Sequence, residues 1–211
     1  MASTAPTREE IAPLAPRPPL DDDWTYERYL TLDDEQRYEI FDGELSMVPA
    51  PFSRHQLVAG ELFYRFDSFV RERKLGLVLF APVDVVFGPR RVVQPDLLFI
   101  RTENLGIIGE RAVHGAPDLV VEILSPGSLT RDRYRKYRLY EQARVPEYWI
   151  VDPANRAIEV LALGESGYEL IASADEKGPL SSRVLEGFTL ELSEVLEAPA
   201  APRVDEPPPD A

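Results

Sequence analysis

Apolar residues in this chain are arranged mainly in short runs of the length of a β-strand. Two of these runs, residues 92–100 and 117–125, are rich in Val, Ile, Leu and Phe and are bounded by Pro or Gly, which is typical of buried strands. Between Leu57 and Val70 the apolar residues instead recur at helical spacing. The pattern therefore predicts a long core-facing helix over residues 55–74, ended by Gly76, and two buried strands after it.

Shorter elements surround these three. Asp42-Gly43 lies between apolar residues and predicts a tight hairpin over residues 40–48. The other predicted elements are short helices over residues 24–30 and 33–39, strands over 77–81, 83–87 and 147–153, a loop over 102–116, a helix over about 130–143, a hairpin of 157–163 with 168–173, and a closing segment over 184–192. The chain is therefore expected to mix helices and strands.

Length and composition predict one folded domain. At 211 residues with 44% apolar residues the chain can bury a full core, which we assign to residues 21–195. Residues 1–20 and 196–211 are rich in Pro and Ala and are predicted to be disordered. There is no run of roughly 20 apolar residues that would span a membrane, no visible secretory signal and no cysteine. These features predict a cytoplasmic protein with no membrane partner and exclude cysteine-ligated zinc.

Charge is unevenly distributed along the chain. The net charge of −14 argues against a protein that coats nucleic acid, because such binding needs a basic face. Residues 54–144, however, hold 15 Lys and Arg against 11 Asp and Glu, a net of +4, while the flanks hold the remaining 8 against 26. The middle of the chain is thus compatible with an anionic polymer as partner.

Each of the two predicted buried strands contains a carboxylate, Asp96 in the first and Glu122 in the second. An ionised carboxylate left unpaired in such a place costs several kcal/mol, roughly, so it must be neutral, paired or bound to a cation. If the strands are neighbours, the two side chains can converge on one divalent ion, and oxygen ligands without sulfur favour Mg²⁺ or Mn²⁺. For Asp96 alone, a polar residue at a strand end is an equally good interpretation.

A basic helix is predicted directly after the second carboxylate. Asp132, Lys136 and Tyr140 share one of its faces, and Lys136 is placed to hold a scissile phosphate or to orient the attacking water. The common alternative is a solvated salt bridge between Lys136 and Asp132.

The order of these motifs resembles the PD-(D/E)XK nuclease superfamily. More narrowly, the chain is similar to a bacterial family of restriction-type endonucleases that was long classified as a domain of unknown function. The residues that carry the similarity are PDLVVEILSP at 117–126, Lys136-Tyr137, Tyr140, VPEYWIVDP at 145–153, YEIFDGE at 38–44 and residues 51–55. The resemblance covers about residues 24–192.

The resemblance implies an α/β (α+β) fold of the restriction-endonuclease type, with a mixed central sheet flanked by helices and an additional hairpin region. It implies Asp96 and Glu122 as metal ligands, Lys136 as the catalytic cation and Glu39, from an upstream acidic helix, as a ligand through water. One departure is that Leu124 stands where the superfamily has its lysine, two residues after the acidic one. The family pattern implies that this lysine has moved to the helix as Lys136.

Substrate contacts follow from the same resemblance. His55 corresponds to the family's histidine at the start of the long helix, and is expected to contact a substrate phosphate or the metal; a local hydrogen bond is the alternative. The expected phosphate contacts on the basic helix are Arg131, Arg133 and Arg135, which are otherwise simply a solvated face. A homodimer is expected by analogy, since cutting both strands of DNA commonly uses two active sites.

Three functions remain open on the sequence. The first is a Mg²⁺- or Mn²⁺-dependent DNA endonuclease. The second is an inactive protein of nuclease fold that binds nucleic acid or a protein partner, which Leu124 and the acidic charge favour. The third is a structural module in which the two carboxylates pair with arginines.

Overall fold

A computed structural model describes residues 23–33, 36–125, 131–174 and 179–197, except for the side chains of Arg131, Asp132 and Ala174. The predicted leader and nearly all of the predicted tail lie outside the described residues. So do Ser128 and Thr130, either of which the sequence predicts as a cap for the helix over about 130–143.

Four α-helices and thirteen strands make up the described part of the chain. The helices are α1 (Tyr26–Tyr29), α2 (Ser53–Arg73), α3 (Arg131–Gln142) and α4 (Leu192–Leu196), with a 3₁₀ helix at Thr102–Ile107. The strands are β1 (Arg37–Phe41), β2 (Glu44–Val48), β3 (Gly76–Phe80), β4 (Asp84–Gly88), β5 (Arg91–Val93), β6 (Leu97–Arg101), β7 (Ala112–His114), β8 (Leu119–Ile123), β9 (Glu147–Asp152), β10 (Ala157–Leu163), β11 (Tyr168–Ala174), β12 (Leu180–Ser181) and β13 (Thr189–Leu190). None of these helices is long and apolar enough to cross a membrane.

The central sheet has six strands in the order β11-β10-β9-β8-β6-β3. Its β8 and β9 are parallel and are connected through α3, while the other neighbours are antiparallel. Parallel strands in the middle of a sheet are buried on both faces, which explains why β8 and β9 read as nearly continuous apolar runs. The mixed sheet flanked by helices confirms the predicted fold class.

A second sheet, in the order β2-β1-β5-β4-β7, contains the predicted hairpin region. The hairpin β1–β2 turns at Asp42 and Gly43, which both have positive φ, 52° and 95°. This backbone suits the twist of two antiparallel strands and is the reason that Asp-Gly predicts such turns.

Alternation along β8 assigns its two faces. Leu119, Val121 and Ile123 pack on the side of α2, where Phe66 stacks on Phe188 at 4.5 Å between ring centroids. Val120 points to the opposite face and joins a second core cluster that contains residues of α3 and of the second sheet. Since side chains alternate, Glu122 has the parity of Val120 and faces α3.

Three local predictions were wrong. Tyr38 and Glu39 were predicted to end a short helix. They lie instead in β1, the first strand of the hairpin, because both side chains are buried against neighbouring strands. The predicted loop over 102–116 contains the 3₁₀ helix and β7, whose short lengths give too few residues for a periodic pattern. The long helix ends at Arg73 with Lys74 left-handed (φ 55°), and Gly76 instead begins β3, where a Cβ atom would lie 2.0 Å from the Ile100 carbonyl oxygen.

Candidate functional site

Pairing of β6 with β8 brings the two predicted strand carboxylates together. Leu97 lies opposite Val121, so Asp96, immediately before β6, comes opposite Glu122. Asp96 Oδ2 accepts a hydrogen bond of 2.7 Å from the backbone N–H of Ile123, which fixes its side chain against the end of β8. Both carboxylates therefore stand at the carboxyl end of β8.

Lys136 reaches these carboxylates from α3. Its Nζ lies 3.0 Å from Glu122 Oε2 and 2.8 Å from Glu39 Oε1. All three side chains are largely enclosed, with 13% of Lys136 and 9% of each glutamate exposed. The side chain of Asp132, the alternative partner of Lys136, lies outside the described part of the structure. The partners that the structure shows for Lys136 are the strand residues Glu39 and Glu122.

Glu39 joins the site from β1 and not from a helix. Its Oε1 accepts hydrogen bonds from Lys136 Nζ and from the backbone N–H of Gln94, the latter at 2.9 Å. The second sheet therefore contributes one wall of the site, next to the central sheet.

Tyr140 is a site residue to which the sequence analysis assigned no role. Its hydroxyl donates a hydrogen bond of 2.6 Å to Glu122 Oε1, so that both oxygens of Glu122 have donors from α3. The signal was present in the sequence, because Tyr140 lies one helical turn after Lys136 on the same face.

His55 lies at the start of α2 and approaches the site from the other side. Its Nε2 is 3.2 Å from Asp96 Oδ2, and its buried Nδ1 has no hydrogen-bond partner among the described residues. Burial lowers the pKa of the imidazole, but the hydrogen bond and the charge of Asp96 raise it more, with a smaller contribution from Glu122, so the net pKa is raised.

The cluster carries more negative than positive charge. Glu39, Asp96 and Glu122 are three potential anions, and they face the single ammonium of Lys136 and the imidazole of His55. The net pKa of Glu122 is raised to about 7, because burial and the charges of Asp96 and Glu39 raise it more than Lys136 and the hydrogen bond from Tyr140 lower it. Burial lowers the pKa of Lys136, but the surrounding carboxylates outweigh this and hold it well above its ordinary value.

The donor set fits a divalent cation in its chemistry. Asp96, Glu122 and Glu39 supply carboxylate oxygens, the ligands that Mg²⁺ and Mn²⁺ prefer, in a site where potential negative charges outnumber the positive ones. Within the described residues, no three carboxylate or imidazole side chains are already arranged to hold an ion. The Lys136 ammonium occupies the space between Glu39 and Glu122.

The predicted phosphate contacts on α3 lie in ion pairs. Arg133 pairs with Glu159, and Arg135 forms two hydrogen bonds with Glu44, at 2.7 and 3.2 Å. Arg131 begins α3, and its side chain lies outside the described part of the structure. The described arginines therefore do not point into the carboxylate cluster in this arrangement.

Gln94 and Asp84 are two further polar residues next to the cluster that the sequence analysis did not single out. Gln94 is 8% exposed and its Nε2 donates to Asp84 Oδ1 at 2.8 Å. The sequence did contain a signal for Gln94, because a glutamine within the apolar run of residues 92–100 is unusual.

Comparison with known proteins agrees with the fold and the motifs. The model of the Uma2 family, described as "Putative restriction endonuclease", matches residues 25–193. A crystal structure described as a "putative nuclease belonging to DUF820" from Anabaena variabilis superposes with a TM-score of 0.69 at 18% identity, covering 82% of this chain and 97% of that one. No protein with a curated description matches. Because the family model spans most of the sequence, the chain belongs to the Uma2 family.

Proposed function

We propose that this protein is a metal-dependent DNA endonuclease that hydrolyses phosphodiester bonds through a metal-activated water. The observation that carries the proposal is a buried ammonium, Lys136, shared by Glu39 and Glu122 at the place where Asp96 meets the end of β8. Membership of a family described as restriction endonucleases supports the same chemistry.

Asp96 and Glu122 would hold Mg²⁺ or Mn²⁺, and Glu39 would reach the ion through water. When bound, such an ion lowers the pKa of its water and so supplies a nucleophile near neutral pH. Tyr140 holds one oxygen of Glu122 and thereby fixes the direction of the other. The backbone of Ile123 does the same for Asp96.

Lys136 would act as a cation rather than as a base. The nearby carboxylates hold its pKa well above the ordinary value, so the side chain stays protonated near neutral pH. A fixed positive charge at this point can orient the attacking water and stabilise the charge that develops on the phosphate. Lys136 would thus fill the role for which the superfamily uses a lysine at the position of Leu124.

Contacts with the rest of the substrate would come from both flanks of the site. His55, whose Nε2 lies 3.2 Å from Asp96 Oδ2, would contact a substrate phosphate or the metal. Arg133 and Arg135 would exchange their glutamate partners for phosphates, and Arg131 is proposed as a further phosphate contact. Two copies of the chain would be needed to cut both strands of a duplex at once, and we therefore propose a homodimer.

The test is a nicking assay on supercoiled plasmid with Mg²⁺ or Mn²⁺, which compares wild type with Asp96→Asn and Lys136→Met. Lys74→Met is the matched control, because it removes the same group from an exposed position at the end of α2. We expect nicking by wild type and Lys74→Met, and loss of nicking by the two site variants and by wild type in EDTA. Equal nicking by all four proteins would show a contaminating nuclease and refute the proposal.

A second candidate is a nuclease-fold protein that binds nucleic acid without cutting it. It is favoured by Leu124 at the usual lysine position and by a net charge of −14, which weakens attraction for DNA. Salt-dependent DNA binding without nicking under any metal condition would establish it in place of the endonuclease.

A further inference from the structure

A cavity of about 390 Å³ lies beside the carboxylate cluster. Its volume falls within the range of small-molecule sites, about 300 to 1,000 Å³. Its wall is mixed, and the larger apolar side chains that line it are Leu79, Pro82, Val83, Ile108 and Val113. The polar and charged side chains that line it are Asp84, Gln94, Glu110 and Arg111.

Gln94 connects this cavity to the candidate active site. Its backbone N–H donates to Glu39 Oε1 at 2.9 Å, while its side chain lines the cavity and donates to Asp84 Oδ1 at 2.8 Å. The cavity and the carboxylate cluster are therefore separated by a single residue. A group bound in the cavity would be held at a fixed position relative to the reacting atoms.

One residue that lines the cavity has a buried acceptor without a donor. The amide N–H₂ of Gln94 donates to Asp84, and its buried Oε1 has no hydrogen-bond partner among the described residues. Buried polar atoms normally have partners, so this oxygen favours a ligand that brings an N–H group.

Asp84, which lines the cavity, has a raised pKa. Burial raises the pKa of Asp84, the hydrogen bond from Gln94 lowers it, and the negative charge of Glu39 raises it again. Arg111 is exposed and has no ion pair within the described residues. The cavity therefore combines the buried Gln94 acceptor and Asp84 with an exposed part that carries one cation, Arg111, next to one anion, Glu110.

We infer that this cavity binds one nucleotide of the substrate strand, with an amine-bearing base inside and its phosphate beside Arg111. The inference rests on the proposed function. Adenine and cytosine present an exocyclic N–H₂ that can donate to Gln94 Oε1, whereas thymine presents an acceptor at the same edge. The apolar side chains of the wall cover the faces of the base. Such a pocket would give the endonuclease a preference for A or C at one position near the scissile phosphate.

Mononucleotide binding to the wild-type protein without metal tests the inference, measured by isothermal titration calorimetry with dAMP, dCMP and dTMP. We expect dAMP and dCMP to bind about fivefold to tenfold more tightly than dTMP, because thymine places a carbonyl oxygen where adenine and cytosine place the N–H₂ group that donates to Gln94 Oε1. Equal affinity for the three nucleotides, or no binding of any, would overturn the inference and leave the acceptor to water.

Substitutions of Gln94 and Arg111 test which residue recognises the base and which the phosphate. Gln94→Met keeps the side-chain length and the backbone N–H to Glu39 but removes the acceptor, and it should abolish the preference for dAMP over dTMP. The exposed Gln142→Met is the matched control and should keep it. Arg111→Gln should lower the affinity for dAMP about threefold without changing that for deoxyadenosine, whereas Arg71→Gln, at an exposed site on α2, should change neither. If the Gln94→Met variant still bound dAMP more tightly than dTMP, the assignment of Gln94 Oε1 as the acceptor for the base would be refuted.

The affinities for single-stranded (dA)₁₀ and (dT)₁₀ test whether the cavity takes a base of a DNA strand or only a free nucleotide. The decamers should differ in affinity in the same direction as the mononucleotides; if only the mononucleotides differ, the cavity does not take a base of the strand. These measurements do not require cleavage. A protein that discriminates among nucleotides but fails to nick DNA retains this site and loses the proposed activity, and one that nicks DNA without discrimination loses only this site.

Discussion

The two ends of the parallel pair β8–β9 both carry buried carboxylates, but their partners differ in kind. At the amino end, Glu147 accepts four hydrogen bonds from neutral, fixed donors, which are Trp149 Nε1 (2.7 Å), Ser182 Oγ (2.6 Å), Arg183 N (2.6 Å) and Val184 N (3.0 Å). At the carboxyl end, Glu122 relies on a tyrosine hydroxyl and on an ammonium that it shares with Glu39.

Asp118 belongs with Glu147. It lies just before β8 and accepts from the backbone N–H of Arg101 at 2.8 Å and from Asn104 Nδ2 at 2.9 Å. At this end each carboxylate ties another segment of the chain to the sheet, and Asp118 also pairs with Arg101 Nε at 3.3 Å. At the other end three carboxylates face one ammonium and one imidazole. Burial of a carboxylate therefore does not by itself distinguish the two ends, whereas the balance of charge around it does.

The same substitution should separate the two ends. Glu122→Gln should lower the rate of plasmid nicking at least about a thousandfold, because it removes a proposed metal ligand. The free energy of unfolding should stay within about 1 kcal/mol of wild type or rise, because Lys136 keeps Glu39 as partner and the excess of negative charge falls. Urea unfolding and nicking rates check both statements, with the exposed Glu103→Gln as control. A large loss of stability would place Glu122 with the structural carboxylates.

Glu147→Gln should have the opposite profile. Either orientation of the new amide sets an N–H₂ group against two existing donors, so the free energy of unfolding should fall by about 3 kcal/mol. Nicking per folded molecule should be unchanged at a temperature where the variant is folded. Thermal unfolding with parallel activity measurements tests this, and a variant as stable as wild type would contradict it.

Asp118→Asn should cost less than Glu147→Gln, about 1 to 2 kcal/mol. An asparagine oxygen can still accept from Arg101 N, and the Arg101 side chain, which is 39% exposed, can turn to solvent. The measurement is the urea midpoint compared with wild type, with no change in nicking rate expected. A loss of activity without loss of stability would mean that the two ends of the strands are not separate in function.

Tyr140→Phe should give the smallest effects. It removes one hydrogen bond from Glu122 and leaves the contact with Lys136, so we expect about 1 kcal/mol of destabilisation and a nicking rate lower by about tenfold. Single-turnover kinetics would measure the rate. An unchanged rate would show that Tyr140 packs in the core without holding Glu122 for the reaction.

The sequence was sufficient for the elements with strong patterns. The 21-residue helix α2, the buried strands and the Asp-Gly hairpin follow from periodicity and turn chemistry. The motif resemblance located Lys136, whose side chain does meet Glu122.

What the sequence could not supply was the identity of the donors. Glu147 and Glu122 both stand among apolar strand residues, and three of the four donors of Glu147 come from a segment 35 to 37 residues away. The strand conformation of Glu39 depends likewise on its pairing with β2, since the acidic residues before it favour a helix locally. Gln94 gains its role only when β1 and β4 lie on either side of it.

The central claim is that the carboxylates at the carboxyl end of β8 form a divalent-cation site and those at the amino end do not. Crystals soaked in Mn²⁺ and measured for anomalous scattering test it directly. The account predicts a peak at coordination distance, about 2.0 to 2.6 Å, from Asp96 and Glu122, and none at Asp118 or Glu147. A map without a peak at Asp96 and Glu122, with Lys136 still between the glutamates, would contradict it.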